Sequence, residues 1–184
     1  AVTVLTMMIT PFVIASSRGI EALFLKSTFH REGRGGRWPE EEEKRDHLLI
    51  IGYGVNGRNV AAAARQAGLP YEVIEMNPDT VRAEQAKGEP LHYGDAIHET
   101  VLRRAGAQQA RVAVIAINDA VSARRITRSL RNLNRQAAII VRTPYVTEIC
   151  PLRASGADEV VSEEFETSIE IIGRVLERYQ LDRE

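Results

Sequence analysis

Cysteine is nearly absent: the only one, Cys150, has no partner for an internal disulfide and no companions for a zinc site, which fits a reducing compartment. An excess of charge of either sign is also missing. With 24 Lys and Arg against 25 Asp and Glu, no global phosphate-neutralising surface exists, so nucleic acid is not expected as a partner. Nor is there chain enough for two large domains: 184 residues make one domain of ordinary size with a real core.

Charge is locally absent at the start. The run "AVTVLTMMITPFVIA", Ala1 to Ala15, carries no charged side chain. A bilayer-spanning helix needs about 20 apolar residues, so this run reads as the last part of a transmembrane helix, a buried core element, or the remnant of a signal segment. If it spans, Arg18, Lys26, Arg31, Arg34 and Arg37 against Glu21 and Glu32 put the rest of the chain on the cytoplasmic side, because excess Lys and Arg beside a span marks that side. Residues 1–30 are then the end of the span and a juxtamembrane segment. Residues 31–46, "REGRGGRWPEEEEKRD", are too polar and too rich in glycine and acid to bury anything and read as a linker.

From His47 onward the pattern changes. Short β-branched runs recur at His47–Gly52, Tyr71–Met76, Pro90–Gly94, Arg111–Ile117, Ala137–Thr143 and Ala157–Ser162, with helix-length segments between them. Parallel strands need crossover helices and are apolar throughout, so residues 47–184 are expected to form an α/β domain: a doubly wound, Rossmann-like parallel sheet of six strands. The helix "GRNVAAAARQAGLP" stops at Gly68 before Pro70, and "NPDTVRAEQAKG" starts at Asn77 and Pro78 and stops at Gly88. The last helix has Ser162 as its expected cap, acids in its first turn, and a stripe of Phe165, Ile169, Ile172, Leu176 and Tyr179. Core is the first expectation for that stripe, a partner surface the second.

The chemistry concentrates in "GYGVNG". Gly52, Gly54 and Gly57 fit the G-x-G-x-x-G pattern: Gly52 for the tight turn off the strand, Gly54 for close approach of a phosphate, Gly57 for close helix packing. The amides of Val55 to Arg58 open a helix whose positive end favours phosphate. Glu75 ends the next strand, 18 positions after Gly57; a carboxylate there accepts ribose hydroxyls and repels a 2′-phosphate, favouring AMP, ADP, ATP or NAD(H) over NADP. Asp95, after strand three, and Asn118 and Asp119, after strand four, fall where ligands bind in such sheets, though Asp95 and Asn118 serve equally well as helix caps. Arg142, ending strand five, is either a phosphate partner or half of a surface ion pair.

An enzyme would need a proton donor or base near the cofactor. No Tyr-x-x-x-Lys pair is present. His92 and His98 flank the third strand without an orienting carboxylate at fixed spacing, and Cys150 reads as a packed small hydrophobe. Arg124, Arg128, Arg131 and Arg135 share a helix face, expected to be solvated or to meet an anionic partner. No aromatic platform is interleaved for nucleic acid. No catalytic and no metal-binding residue is assigned, and a small NAD-dependent oxidoreductase stays as the alternative.

Taken together, "IIGYGVNG", "EMNP", "YGDA", "GAQQARVAVIAINDA", "IIVRT" and "GADEVVSEE" resemble the RCK or TrkA-N domain, the regulatory domain of potassium channels and transporters. The preceding "VLTMMITPFVIA" resembles the last transmembrane helix of Kef-type potassium:proton antiporters. The resemblance implies an inner-membrane antiporter with this domain on its cytoplasmic side, dimerising and coupling nucleotide occupancy to transport; a soluble regulatory subunit is its variant. Carried over by position, Gly52, Gly54 and Gly57 with the Val55 and Asn56 amides hold phosphate, and Glu75 holds ribose. Met76, Asp95, Ala96, Asn118, Asp119 and Arg142 complete the cofactor-binding set.

Overall fold

The computed structural model describes residues 45–179. The expected span within Ala1–Ala15 and nearly all of the expected linker lie outside them. Among the described residues no helix is long and apolar enough to cross a membrane.

Six strands, β1 (His47–Ile51), β2 (Tyr71–Glu75), β3 (Leu91–Tyr93), β4 (Ala110–Ile115), β5 (Ala138–Thr143) and β6 (Glu159–Ser162), form one sheet in the order β3-β2-β1-β4-β5-β6, every pair parallel. This is the expected doubly wound arrangement, with the order reversing between β1 and β4. Six helices alternate with the strands: α1 (Val55–Gln66), α2 (Pro78–Gln85), α3 (Glu99–Arg104), α4 (Ala120–Leu133), α5 (Ile149–Ala154) and α6 (Glu163–Arg178). The third and fifth connections are shorter than helix length suggests. Each combines a six-residue helix with a 3-10 turn, at Ala107–Gln109 and Val146–Glu148.

Local chemistry accounts for the helix ends. Asn77 accepts from the amides of Asp79 and Thr80 ahead of Pro78, satisfying donors that have no intrahelical partner. Gly68 and Gly88 stand at φ 67° and 87°, the left-handed conformation a glycine stop uses. Ser162 stands at the N-cap of α6, as expected, but makes no side-chain cap bond; its buried hydroxyl has no hydrogen-bond partner.

The sheet is covered unequally. On one face Leu49, Ile51, Ala113, Ile115, Ile139 and Val141 pack with Leu102, Ile126, Leu130 and Leu152 of α3, α4 and α5. On the other, Ile50, Val73 and Leu91 pack with Tyr53, Ala61 and Val81. Beyond β1, this second face opens: Val114 and Ile140 are half-buried, and Val161 is 40% exposed. The stripe of α6 departs from its first expectation. Phe165, Ile169, Ile172 and Tyr179 are exposed, with only Leu176 half-buried, because no element of the described chain lies over that side of the helix.

Three further expectations change. The arginines of α4 are not one free face: Arg124 pairs with Glu148, and Arg131 pairs with Asp158 and donates to the carbonyls of Gly156, Arg135 and Ala137. Arg128 and Arg135 are exposed. Cys150 is exposed rather than packed. His92 does have a carboxylate, since the adjacent β2 brings Glu72 against it in a buried pair; pairing between strands, not spacing along one, makes that contact.

Candidate functional site

The strand order leaves a crevice at the carboxyl ends of β1 and β4, where the crossovers diverge to opposite faces. Two adjoining compartments occupy it. One, of about 250 Å³, lies toward β2 and β3 and is walled by Ile74, Met76, Ala96, Ile97, Ile117 and Ile126, with Asp95 and Asp119 at its edges. The other, of about 490 Å³, lies over the glycine loop, between Gly54, Val55 and Asn56 on one side and Arg142 and Glu163 on the other. Gly52, Glu75, Ile117 and Asn118 line both, so one elongated ligand can occupy the two together. The first is mostly apolar and suits a flat ring. The second is ringed by donors and charge and suits a phosphate.

Each glycine has a physical reason. Gly52 turns at φ +93°, and a Cβ there would meet the Ile117 side chain at 2.9 Å. At Gly57 a Cβ would fall 2.0 Å from the Gly52 carbonyl oxygen, so only glycine lets α1 lie against the turn. Gly57 lines neither compartment; its part is packing. Gly54, the N-cap residue of α1, has nothing within 4 Å of where a Cβ would be. The space above it is open.

Glu75 is held in place by the backbone. Its two oxygens accept from the backbone amides of Tyr53 and Asn77, each at 2.7 Å, which ties the glycine loop to the end of β2. A carboxylate has about four lone-pair sites, so two amides leave room for hydroxyl donors. Burial, reinforced by the negative charge of Glu84, raises the Tyr53 pKa, and the Arg58 guanidinium lies 5.4 Å from the Tyr53 ring centre.

Between binding and capping, the remaining candidates divide. Asp119, not Asn118, caps α4, accepting from the Ser122 amide at 2.7 Å; hydrogen bonding from the Ser122 side chain, with its amide adding to it, holds the carboxyl below the usual carboxylate range. Asp95 accepts from the Ile97 amide at 2.9 Å, and the N-cap of α3 is His98. Neither His92 nor His98 lines either compartment.

Arg142 is in an ion pair, but not a loose one. Its Nε donates to Glu163 Oε1 at 2.6 Å, a second nitrogen pairs with the other Glu163 oxygen, and Nη1 donates to Asn118 Oδ1. Asn56 of the glycine loop donates to the same Glu163 oxygen at 3.1 Å. The Arg142 guanidinium, with Asn56 adding to it, holds the Glu163 carboxyl below its ordinary range. In the sequence Glu163 is one of the first-turn acids of the last helix and nothing more. Its signal is not local, since 107 positions separate it from Asn56.

A family model described as the TrkA-N domain matches residues 48–163. A glutathione-regulated potassium-efflux system protein of Haemophilus influenzae is 29% identical over 138 residues, 75% of this chain and 22% of that protein. The crystal structure of the TrkA-N domain of the inner membrane protein ybaL from Escherichia coli superposes with a TM-score of 0.68 at 26% identity, covering 70% of this chain and 96% of that one. The Kef carboxyl-terminal domain of Shewanella denitrificans in its AMP-bound form superposes with a TM-score of 0.63 at 22% identity, covering 73% and 81%, a likeness of fold. The chain spans about a fifth or less of the length of the curated relatives it matches.

Proposed function

The chain belongs to the TrkA-N domain family, and from that premise we propose that it is the nucleotide-sensing regulatory domain of a potassium:proton antiporter, acting without catalysis. The observation that carries the proposal is the pair of joined compartments around an open glycine loop, with a pre-positioned carboxylate, Glu75, between them. In this reading an adenine nucleotide lays its base in the apolar compartment, where Met76, Ala96 and Ile97 stand. Its ribose hydroxyls donate to Glu75. Its phosphate takes the space above Gly54, facing the Val55 and Asn56 amides at the positive end of α1. AMP, ADP, ATP and NAD(H) all carry that common part.

Regulation then needs a partner, and the open side of the sheet supports one. Val114, Ile140 and Val161 border a groove of about 500 Å³ beside α6, and α6 presents Phe165, Ile169, Ile172 and Tyr179 to solvent. Exposed apolar side chains grouped in this way mark a contact site. We assign it to a second copy of the domain, so that a nucleotide preferring one arrangement of the pair shifts the transporter by its differential affinity. The membrane part, on this proposal, precedes the linker, and the domain faces the cytoplasm.

The test is titration calorimetry with AMP and NAD, together with mass spectrometry of the nucleotide that co-purifies. Binding that Glu75→Gln weakens by about tenfold, the loss of a charge-assisted bond pair, supports the assignment. No binding of either ligand overturns it. Turnover of NADH with small carbonyl substrates would instead favour an oxidoreductase.

A further inference from the structure

We infer that Glu163 is an internal stand-in for the ligand's phosphate: its carboxylate holds Arg142 and Asn56, and an entering phosphate displaces it and frees the start of α6. The inference rests on the nucleotide reading above.

Four residues, Asn56, Ala116, Arg142 and Glu163, line both the glycine-loop compartment and the apolar groove over β4 to β6. They are the wall between the two. Arg142 has no idle edge in this wall: Nε and one terminal nitrogen face Glu163, and the other faces Asn118. Its side chain is 17% exposed against 45% for Glu163, so the arginine is the fixed member and the glutamate the movable one. Carboxylate and phosphate are alternative partners for a guanidinium fork. Two anions side by side on one fork repel each other, so a phosphate that reaches Arg142 does so in exchange for the carboxylate. A half-exposed carboxylate regains water when it leaves, which keeps the exchange nearly balanced.

The location of Glu163 gives the exchange a consequence. It is the first residue of α6, whose next residue, Glu164, is held by its amide to the Pro144 carbonyl at 3.3 Å and by its carboxylate to the Val146 amide at 2.9 Å. Removing the Arg142 contact leaves the first turn of α6 on those weaker ties. The helix that carries the exposed apolar stripe is thereby loosened by occupancy of a site on the other side of the wall, a coupling between two surfaces through one two-position side chain.

The experiment compares AMP with adenosine on the full chain by calorimetry. Glu163→Gln, a nearly isosteric change at a half-exposed position, should tighten AMP on the order of three- to tenfold, the range for relief of one partly screened anion. Adenosine affinity should stay the same. In an Arg142→Gln background the gain should vanish, because there is no fork left to compete for; a gain that persists there would reduce the effect to general charge repulsion and overturn the inference. Amide hydrogen exchange supplies a readout in the unmutated protein: AMP should speed exchange over residues 164–168, and unchanged or slowed exchange overturns the release of α6. If AMP binds but Glu163→Gln leaves its affinity unchanged or weaker, the stand-in is wrong and the nucleotide reading survives. If neither AMP nor adenosine binds any of the proteins, both fall.

Discussion

The two faces of the sheet are built from the same kinds of strand and meet different fates. On one, α3, α4 and α5 bury Leu49, Ile115, Ile139 and Leu102 completely. On the other, the covering cluster stops at β1, and the β4 to β6 half stays open beside an exposed α6. The closed face carries the stability of the fold. The open one lies directly against the candidate ligand site and shares four residues with it, so a change at the site has a direct path to that surface.

The sharpest way to test the contrast is to delete equivalent methyl groups on its two sides. Ile139→Ala, at a fully buried position, should cost about 2–5 kcal/mol by chemical denaturation, whereas its neighbour Ile140→Ala, half-buried on the open face, should cost less than about 1 kcal/mol in the dilute monomer. Equal losses would mean the open face is covered. Next come the glycines. Gly57→Ala pushes a Cβ into the Gly52 carbonyl and should destabilise by about 1–3 kcal/mol; Gly54→Ala meets nothing, so stability should change by about 0.5 kcal/mol or less while AMP affinity falls.

Smaller again is Ile172→Ser on α6. With its side chain exposed, the substitution should leave monomer stability within about 0.5 kcal/mol but shift the monomer–dimer equilibrium toward monomer in sedimentation velocity. The smallest effect is on pH. Arg142 lowers the Glu163 pKa in the folded state, so the pair's contribution is fully present above the unfolded value near ~4.3 and is lost as pH falls through the lower folded value. Because Glu163 is half-exposed, screening keeps that contribution under about 1 kcal/mol. Stability should therefore hold from pH 7 to about 5 and decline below it, and Glu163→Gln should flatten that decline slightly.

Much of this was visible in the residue order. A β-branched run before glycines, then an alanine-rich helix, then an acid at the end of the next strand are local patterns, and each needs only its neighbours to be satisfied. The same locality explains where reading failed. A Ser before an acidic turn marks the N-cap of α6 but does not guarantee the cap bond, which depends on where the hydroxyl points. An apolar stripe records that a helix has a face to bury, not which surface covers it.

By itself, then, the sequence determined the six parallel strands, the glycine turn with Gly57 as its close-packing residue, and the carboxylate at Glu75, because period, turn geometry and strand-end position are short-range properties of a chain. Only the tertiary structure decided that Arg142, Asn118, Asn56 and Glu163 meet, and that the sheet is left open on one side. Those outcomes depend on four separate segments of the chain converging at the carboxyl edge of the sheet and on how far the crossover helices reach, and neither quantity is written in any single stretch of residues.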